Sequence, residues 1–173
     1  MTESLHNNAR DALCLIGSGK AFREELCNMI AGTHMFRDFD WHDIESLADY
    51  MQAYEASKGL TLFKEGDSGN YMCLIIRGKV NVCKKDQNDK TKIVASIGTG
   101  KTLGEMAIID GEPRSASAIT LETTILALLT KDNFQRIVNE KPGLATRILL
   151  QISRLLSQRL RCTSGLLVDY LDH

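Results

Sequence analysis

The chain has 173 residues, a length that fits one compact domain and allows a sizeable core. It carries 21 Lys and Arg against 22 Asp and Glu, a formal net charge of −1, and 43% of its residues are hydrophobic. This near-neutral balance excludes a strongly basic binder of nucleic acid or of anionic membranes, because both kinds of binding depend on clustered Lys and Arg.

The apolar and cysteine patterns predict a cytoplasmic protein with no membrane partner. No window approaches the roughly 18 consecutive apolar residues of a membrane span, and the apolar patch at 12–16 is too short for a signal-peptide core. Five cysteines, an odd number without a CxxC pair, indicate buried thiols in a reducing compartment. The four histidines have no helical metal spacing, so we expect no metal site and no cofactor.

The first third of the chain is predicted to be helical. Apolar residues recur over 20–31 at the spacing of one helix face, and Gly32 is a plausible stop. A second helix follows Asp40, and either Asp40 or Asp43 can cap it. Its predicted apolar face consists of Ile44, Leu47, Ala48 and Met51.

From about residue 52, short apolar runs alternate with Gly, Asn and Asp turn signals, as in an antiparallel sandwich or barrel. A helix is predicted from Lys131, ended by a Lys-Pro-Gly sequence at 141–143, and a long helix then runs from Leu144 to about Leu167. The order predicts a mainly β, α+β protein with helical flanks. The predicted strands are 60–63, 71–76, 79–83, 92–97, 115–121 and 124–129, with 86–89 as a hairpin tip.

Residues 98–118 interrupt the strands and carry the polar residues of a candidate nucleotide site. Gly104 permits a close backbone approach, and 105–109 predicts one helical turn whose first N–H groups can bind an anion. Arg114 can return to the same place and hold that anion with a bidentate guanidinium. Glu105 can accept a hydrogen bond from a sugar hydroxyl beside the phosphate.

These residues closely resemble the phosphate-binding cassette of cyclic-nucleotide-binding domains. The matching sequence is Leu-Gly-Glu-Met-Ala-Ile-Ile at 103–109 followed by Pro-Arg-Ser-Ala-Ser at 113–117, with Leu103 in place of the usual Phe. Residues 63–82 are similar to a second pattern of that family, and the resemblance covers about 34–165. It implies a jelly-roll-like β-roll interrupted by a short phosphate-binding helix. The implied domains are an N-terminal helical segment at 1–33 and the cyclic-nucleotide-binding domain at 34–173, which includes a hinge helix and a long C-terminal helix.

The resemblance also implies a role for each matching residue. Glu105 accepts the ribose 2′-OH and Arg114 pairs with the cyclic phosphate. The remaining residues of the implied site are Gly104, Met106, Ala107 and Ser115 around the phosphate, Ala116 beside them, and Val82 and Val94 at the floor of the base pocket. Residues 159–164 are similar to the end of the long helix in catabolite-activator-type members, which implies that Thr163 and Ser164 read the base. The alternative is that these two residues fray at a helix end before Gly165.

The implied function is that of a sensor and not of an enzyme. The ligand is cAMP or cGMP, with cAMP favoured, and its capture repositions the C-terminal helix. Two apolar stripes on that helix predict a homodimer, and the alternative is one wide core face. The effector protein is unknown. Nine residues follow Ser164, too few for a helix-turn-helix, so we expect no DNA binding by this chain. A stand-alone protein and a piece of a longer one both remain open.

We also considered three other interpretations of the cassette region, each of which the sequence disfavours. A degenerate domain could serve as a protein–protein scaffold without a ligand, although the intact Glu105 and Arg114 argue against this. Those two residues could also form a plain surface ion pair. Residues 95–102 fit a relaxed P-loop pattern, but a P-loop joins a parallel strand to a full helix, and a helix here can extend only to about Asp110.

Overall fold

The computed structural model describes residues 12–16 and 20–171, with side chains described at 12–16 and 22–165. The helices are α1 (Lys20–Ala31), a 3-10 turn (His34–Phe36), α2 (Trp41–Ala48), α3 (Met106–Ile109), α4 (Lys131–Glu140) and α5 (Pro142–Leu171). The strands are β1 (Cys14–Leu15), β2 (Met51–Ala56), β3 (Thr61–Phe63), β4 (Tyr71–Arg77), β5 (Lys79–Lys85), β6 (Thr91–Gly98), β7 (Thr102–Leu103), β8 (Ser117–Thr120) and β9 (Thr124–Thr130).

The helix α2 shows how local chemistry sets an element's limits. The Asp40 carboxylate accepts a hydrogen bond from the Asp43 N–H at 2.8 Å, so Asp40 is the N-cap. The helix ends at Ala48, and Met51 begins β2. The prediction that Met51 lies on the α2 face was therefore wrong. Met51 is buried because β2 pairs with β9, where it lies opposite Leu129.

The described strands form two antiparallel sheets. One has the order β1-β2-β9-β4-β7 and the other the order β3-β8-β5-β6. Strand β4 pairs with β9 along its length and with β7 at Cys73 and Leu74. Both sheets contribute side chains to one core, which confirms the predicted mainly β roll with helical flanks. The core residues are Leu13, Ala56, Leu62, Tyr71, Cys73, Ile75, Val80, Leu103, Ala118, Leu126 and Leu128.

Two predictions about the thiols and the hairpin tip have clear outcomes. All five cysteines lie within the described residues and are thiols, but Cys14 and Cys162 are exposed, so the expectation that the thiols are buried was wrong for these two.

The tip between β5 and β6 is confirmed as a hairpin turn. The Asp86 carboxylate accepts hydrogen bonds from the N–H groups of Asn88 and Lys90, and Asp89 has a φ of 59°.

The chain divides into two compact units, residues 1–135 and 136–173. The second unit contains the end of α4 and the helix α5. Helix α5 begins earlier than predicted because Pro142 is tolerated in a first helical turn, and it extends to Leu171, beyond the predicted end near Leu167. Along α5, Ile148 and Ile152 are buried, whereas the side chains of Leu149, Leu150 and Leu160 are exposed. The predicted domain boundary between residues 33 and 34 stays a prediction. Among the described helices, none has the length and apolarity needed to cross a membrane.

Candidate functional site

The candidate site lies between β7 and β8, where one glycine and one short helix shape the backbone. Gly104 has a φ of 77°, and a Cβ at this position would overlap Nη1 of Arg114, so only glycine fits. Glu105 follows directly, and α3 begins at Met106. The turn closes with a hydrogen bond from the Asp110 N–H to the Met106 carbonyl at 2.9 Å. The predicted short helix is therefore confirmed.

The backbone of Arg114 is fixed by the β3–β4 loop, residues 64–70. The Arg114 N–H donates to the Asp67 carbonyl at 2.7 Å, and the Gly66 N–H donates to the Arg114 carbonyl at 2.8 Å. Two bonds in opposite directions leave the Arg114 Cα little freedom relative to this loop. The loop thus determines where the Arg114 side chain begins.

The Arg114 guanidinium is buried, with 4% of the residue exposed, and it is held by carbonyls and aromatic rings. Nη1 donates to the Gly104 carbonyl at 2.9 Å and Nη2 donates to the Tyr71 carbonyl at 2.6 Å. The guanidinium carbon lies 4.1 Å from the centre of the Phe63 ring and 4.8 Å from that of the Tyr71 ring. These rings attract the cation through their negative faces. The Tyr71 ring is itself held by a hydrogen bond from its hydroxyl to the Leu62 carbonyl at 2.6 Å.

Nothing described in the chain neutralises the Arg114 charge at short range. Its pKa is lowered because burial penalises the charged form, although Cys73, Tyr71, Asp67 and Glu105 oppose that shift. Within residues 12–16 and 22–165, no ion pair at 4.0 Å or less involves Arg114. Its buried Nε has no hydrogen-bond partner. A buried cation without an ion-pair partner is costly, and an anion at Nε would reduce that cost.

Glu105 is buried with 1% of the residue exposed, one position before α3. Because both Glu105 and Arg114 are buried, the alternative of a surface ion pair is wrong. The structure brings the other predicted cassette residues together around these two. Met106 is 45% exposed, Ala107 is buried, and the Ser115 hydroxyl lies 3.9 Å from the Met106 sulfur. Ala116 is half-buried and directly precedes β8 in the sequence.

The predicted base-pocket valines lie on neighbouring strands. Val82 of β5 is half-buried and pairs with Ala95 of β6. Cys83 pairs with Ile93, so Val94 is the unpaired extra residue of a β-bulge. Val94 is 56% exposed. Its contact with a base stays a prediction, as does that of Val82.

Thr163 and Ser164 lie on α5 in the second unit, and both are exposed. The Thr163 hydroxyl donates to the Arg159 carbonyl at 2.9 Å, one helical turn earlier. The helix continues to Leu171, so the alternative that these residues fray at a helix end before Gly165 was wrong. Their proposed contact with the base stays a prediction.

The P-loop interpretation of residues 95–102 does not hold. Gly98 ends β6 and Thr102 begins β7, so a strand follows where a P-loop requires a helix. Strands β6 and β7 also belong to antiparallel sheets. Among the described residues, no group of His, Cys, Asp and Glu side chains could hold a metal ion.

Sequence reasoning missed three residues at this site: Phe63, Tyr71 and Gly69. The two rings reach Arg114 only because the β3–β4 loop returns to the cassette, and no local pattern signals that contact. Gly69 lies where a Cβ would overlap that of Ala107 and would be 3.1 Å from the Arg114 Nε. Its only sequence signal is its place within residues 63–82, which are similar to the second pattern of the family.

Comparison with known proteins identifies the family. The profile of the "Cyclic nucleotide-binding domain" family matches residues 54–141, about half of the chain. This chain therefore belongs to the cyclic nucleotide-binding domain family.

Its relatives include a solved domain and two full-length regulators. A crystal structure of a cyclic nucleotide-binding domain from Methylobacillus flagellatus KT is 33% identical, with a TM-score of 0.80 over 91% of this chain and 89% of that one. The CRP-like cAMP-activated global transcriptional regulator of Mycobacterium tuberculosis is 26% identical over 83% of this chain and 62% of its own length. The cyclic AMP receptor protein of Thermus thermophilus is 28% identical over 75% and 58%, respectively. The chain thus spans about three-fifths of these two curated relatives.

Proposed function

We propose that this chain binds a 3′,5′-cyclic mononucleotide, with cAMP favoured, as a regulatory sensor. The observation that carries the proposal is the buried Arg114 guanidinium, whose Nε has no hydrogen-bond partner, in the cassette of a cyclic nucleotide-binding domain. A cyclic phosphate would supply an ion-pair partner for the guanidinium and an acceptor oxygen for its Nε. Charge-assisted hydrogen bonds of this kind are about twice as strong as neutral ones.

The residues next to Arg114 supply the other groups that a cyclic nucleotide requires. The buried Glu105 carboxylate would accept the ribose 2′-OH, which would distinguish ribonucleotides from deoxyribonucleotides. Backbone groups of Gly104, Met106 and Ala107, with Ser115, would line the phosphate. The resemblance to the family supports these roles, and the burial of Glu105 beside the exposed Met106 agrees with them.

The proposed preference for adenine depends on residues of α5. Thr163 and Ser164 match a helix end that contacts adenine in relatives, and their hydroxyls can serve the 6-amino group. Ser115 beside Arg114 instead favours guanine, because a hydroxyl at this position favours cGMP in some members of the family. Val82 and Val94 would provide an apolar surface for either base. The regulator from Mycobacterium tuberculosis is described as cAMP-activated, which supports cAMP as the ligand of this chain.

The proposed output is a change in the C-terminal helix. Ligand binding would shift the population towards a state in which α4 and α5 are repositioned. The ratio of affinities for the two states sets the largest change in their equilibrium constant that the ligand can cause. We further propose a homodimer through α5, because the side chains of Leu149 and Leu160 are exposed. An effector protein would respond to this change.

A thermal-shift experiment tests the proposal. The melting temperature of the wild-type protein is measured with cAMP, cGMP, a cyclic dinucleotide and 5′-AMP, whose phosphate is not cyclic. A ligand at about 100 times its dissociation constant stabilises the folded state by about 2.7 kcal/mol, so a cyclic mononucleotide should raise the melting temperature by several degrees. We expect a smaller shift with 5′-AMP. No shift with any cyclic nucleotide would contradict the proposal and would favour the scaffold function.

A further inference from the structure

Gly69 lies at the point where the β3–β4 loop meets both ends of the cassette. A Cβ on Gly69 would overlap the Cβ of Ala107 and would lie 3.1 Å from Nε and 3.2 Å from Cζ of Arg114. Gly69 does not have a positive φ, so its backbone conformation is open to any residue. Lack of space, and not backbone strain, excludes a side chain here.

The neighbours of Gly69 cannot give way easily. The Ala107 side chain is a single methyl group fixed to the backbone of α3, so it has no other rotamer to adopt. The backbone of Arg114 is tied to the loop by its hydrogen bonds with Gly66 and Asp67, and its guanidinium is held by the Gly104 and Tyr71 carbonyls. An added methyl at Gly69 must therefore move the α3 backbone, the loop or the Arg114 guanidinium.

We propose that Gly69 is a positioning residue of this site. By lacking a side chain, it lets Ala107 and Arg114 pack against the β3–β4 loop, and this packing places the guanidinium for an anion. The role rests on the proposed function. In this chain the methyl of Ala107 makes Gly necessary at position 69. Gly69 and Ala107 are a complementary pair, in which only one member can carry a methyl.

A double-mutant cycle tests this pairing. The affinities for cAMP and cGMP are measured by calorimetry for the wild type, G69A, A107G and G69A/A107G. We expect G69A to weaken binding by about tenfold or more in the wild-type background, but by no more than about threefold in the A107G background. G98A is the matched control, because a Cβ on Gly98 meets nothing within 4 Å, and it should bind as the wild type does. An equal effect of G69A in both backgrounds, or no effect in either, would overturn the proposal.

A second measurement does not depend on ligand binding. The ¹H–¹⁵N signal of the Arg114 Nε–H is followed by NMR in the ligand-free protein and is assigned by its loss in R114K. We expect G69A to shift this signal and the added A107G substitution to return it towards its original position. An unmoved signal in G69A overturns the positioning role, even where affinity falls. If the wild type binds no cyclic nucleotide, the proposed function fails, and the NMR signal still decides whether Gly69 positions Arg114.

Discussion

Replacement of Arg114 by alanine is the most informative perturbation of the site. In the ligand complex the guanidinium would donate charge-assisted hydrogen bonds to the phosphate, in surroundings with little water. Truncating one partner of such a desolvated pair costs about 2–5 kcal/mol, which is roughly thirty-fold to several-thousand-fold in affinity. We therefore expect R114A to bind cAMP weakly or not at all in calorimetric titrations at fixed ionic strength.

The folded state must be examined alongside the affinity, because Arg114 also has structural contacts. R114A removes the hydrogen bonds from the guanidinium to the Gly104 and Tyr71 carbonyls, at about 1–3 kcal/mol each, but it also removes a buried charge. The variant R114K separates the effect of the lost hydrogen bonds from the effect of the lost charge. Lysine keeps the charge but cannot reach both carbonyls and present a planar pair of donors. The affinity of R114K for cAMP should therefore fall between those of the wild type and R114A.

The matched control for Arg114 is Arg37, whose side chain is 69% exposed. R37A removes the same charge from the surface and should bind cAMP as the wild type does. Affinity of folded R114A within about threefold of the wild-type value, or an equal loss in R37A, would refute the reasoning about a buried anion partner.

Three further predictions concern the ribose, the base and the assembly. If Glu105 accepts the ribose 2′-OH, 2′-deoxy-cAMP should bind the wild type about 1–3 kcal/mol more weakly than cAMP, with a smaller penalty in E105Q; equal penalties in calorimetry would exclude this role. Competition titrations should show a preference for cAMP over cGMP, and a tenfold or greater preference for cGMP would contradict the contacts proposed for Thr163 and Ser164. Light scattering should give twice the chain mass of 19.2 kDa, with and without ligand, and a single-chain mass in both conditions would contradict the homodimer.

The parts of the fold that depend on local chemistry could be predicted from the sequence. Periodicity gives α1, and the Asp40 side chain marks the start of α2. Strand β2 was missed because its sequence is half polar, and its strand conformation depends on pairing with β9 about 75 positions further on. The two-residue strands β1 and β7 were missed for the same reason, since each exists only through its partner.

Some residues of the candidate site could likewise be predicted from a local pattern, and others are recognisable only in the folded chain. Glu105 and Arg114 belong to one short stretch with a recognisable pattern, so the sequence identifies them directly. The Tyr71 carbonyl and ring lie 43 positions before Arg114, and only the folded chain brings them to the guanidinium. Gly69 could not be interpreted at all without Ala107 beside it, because its importance is a property of the pair.

The measurement that tests the central claim most directly is a calorimetric titration of the wild-type protein with cAMP, cGMP and a cyclic dinucleotide. We predict saturable binding of a cyclic mononucleotide, with one site per chain. The absence of heat with every ligand, or binding of the cyclic dinucleotide alone, would contradict the account.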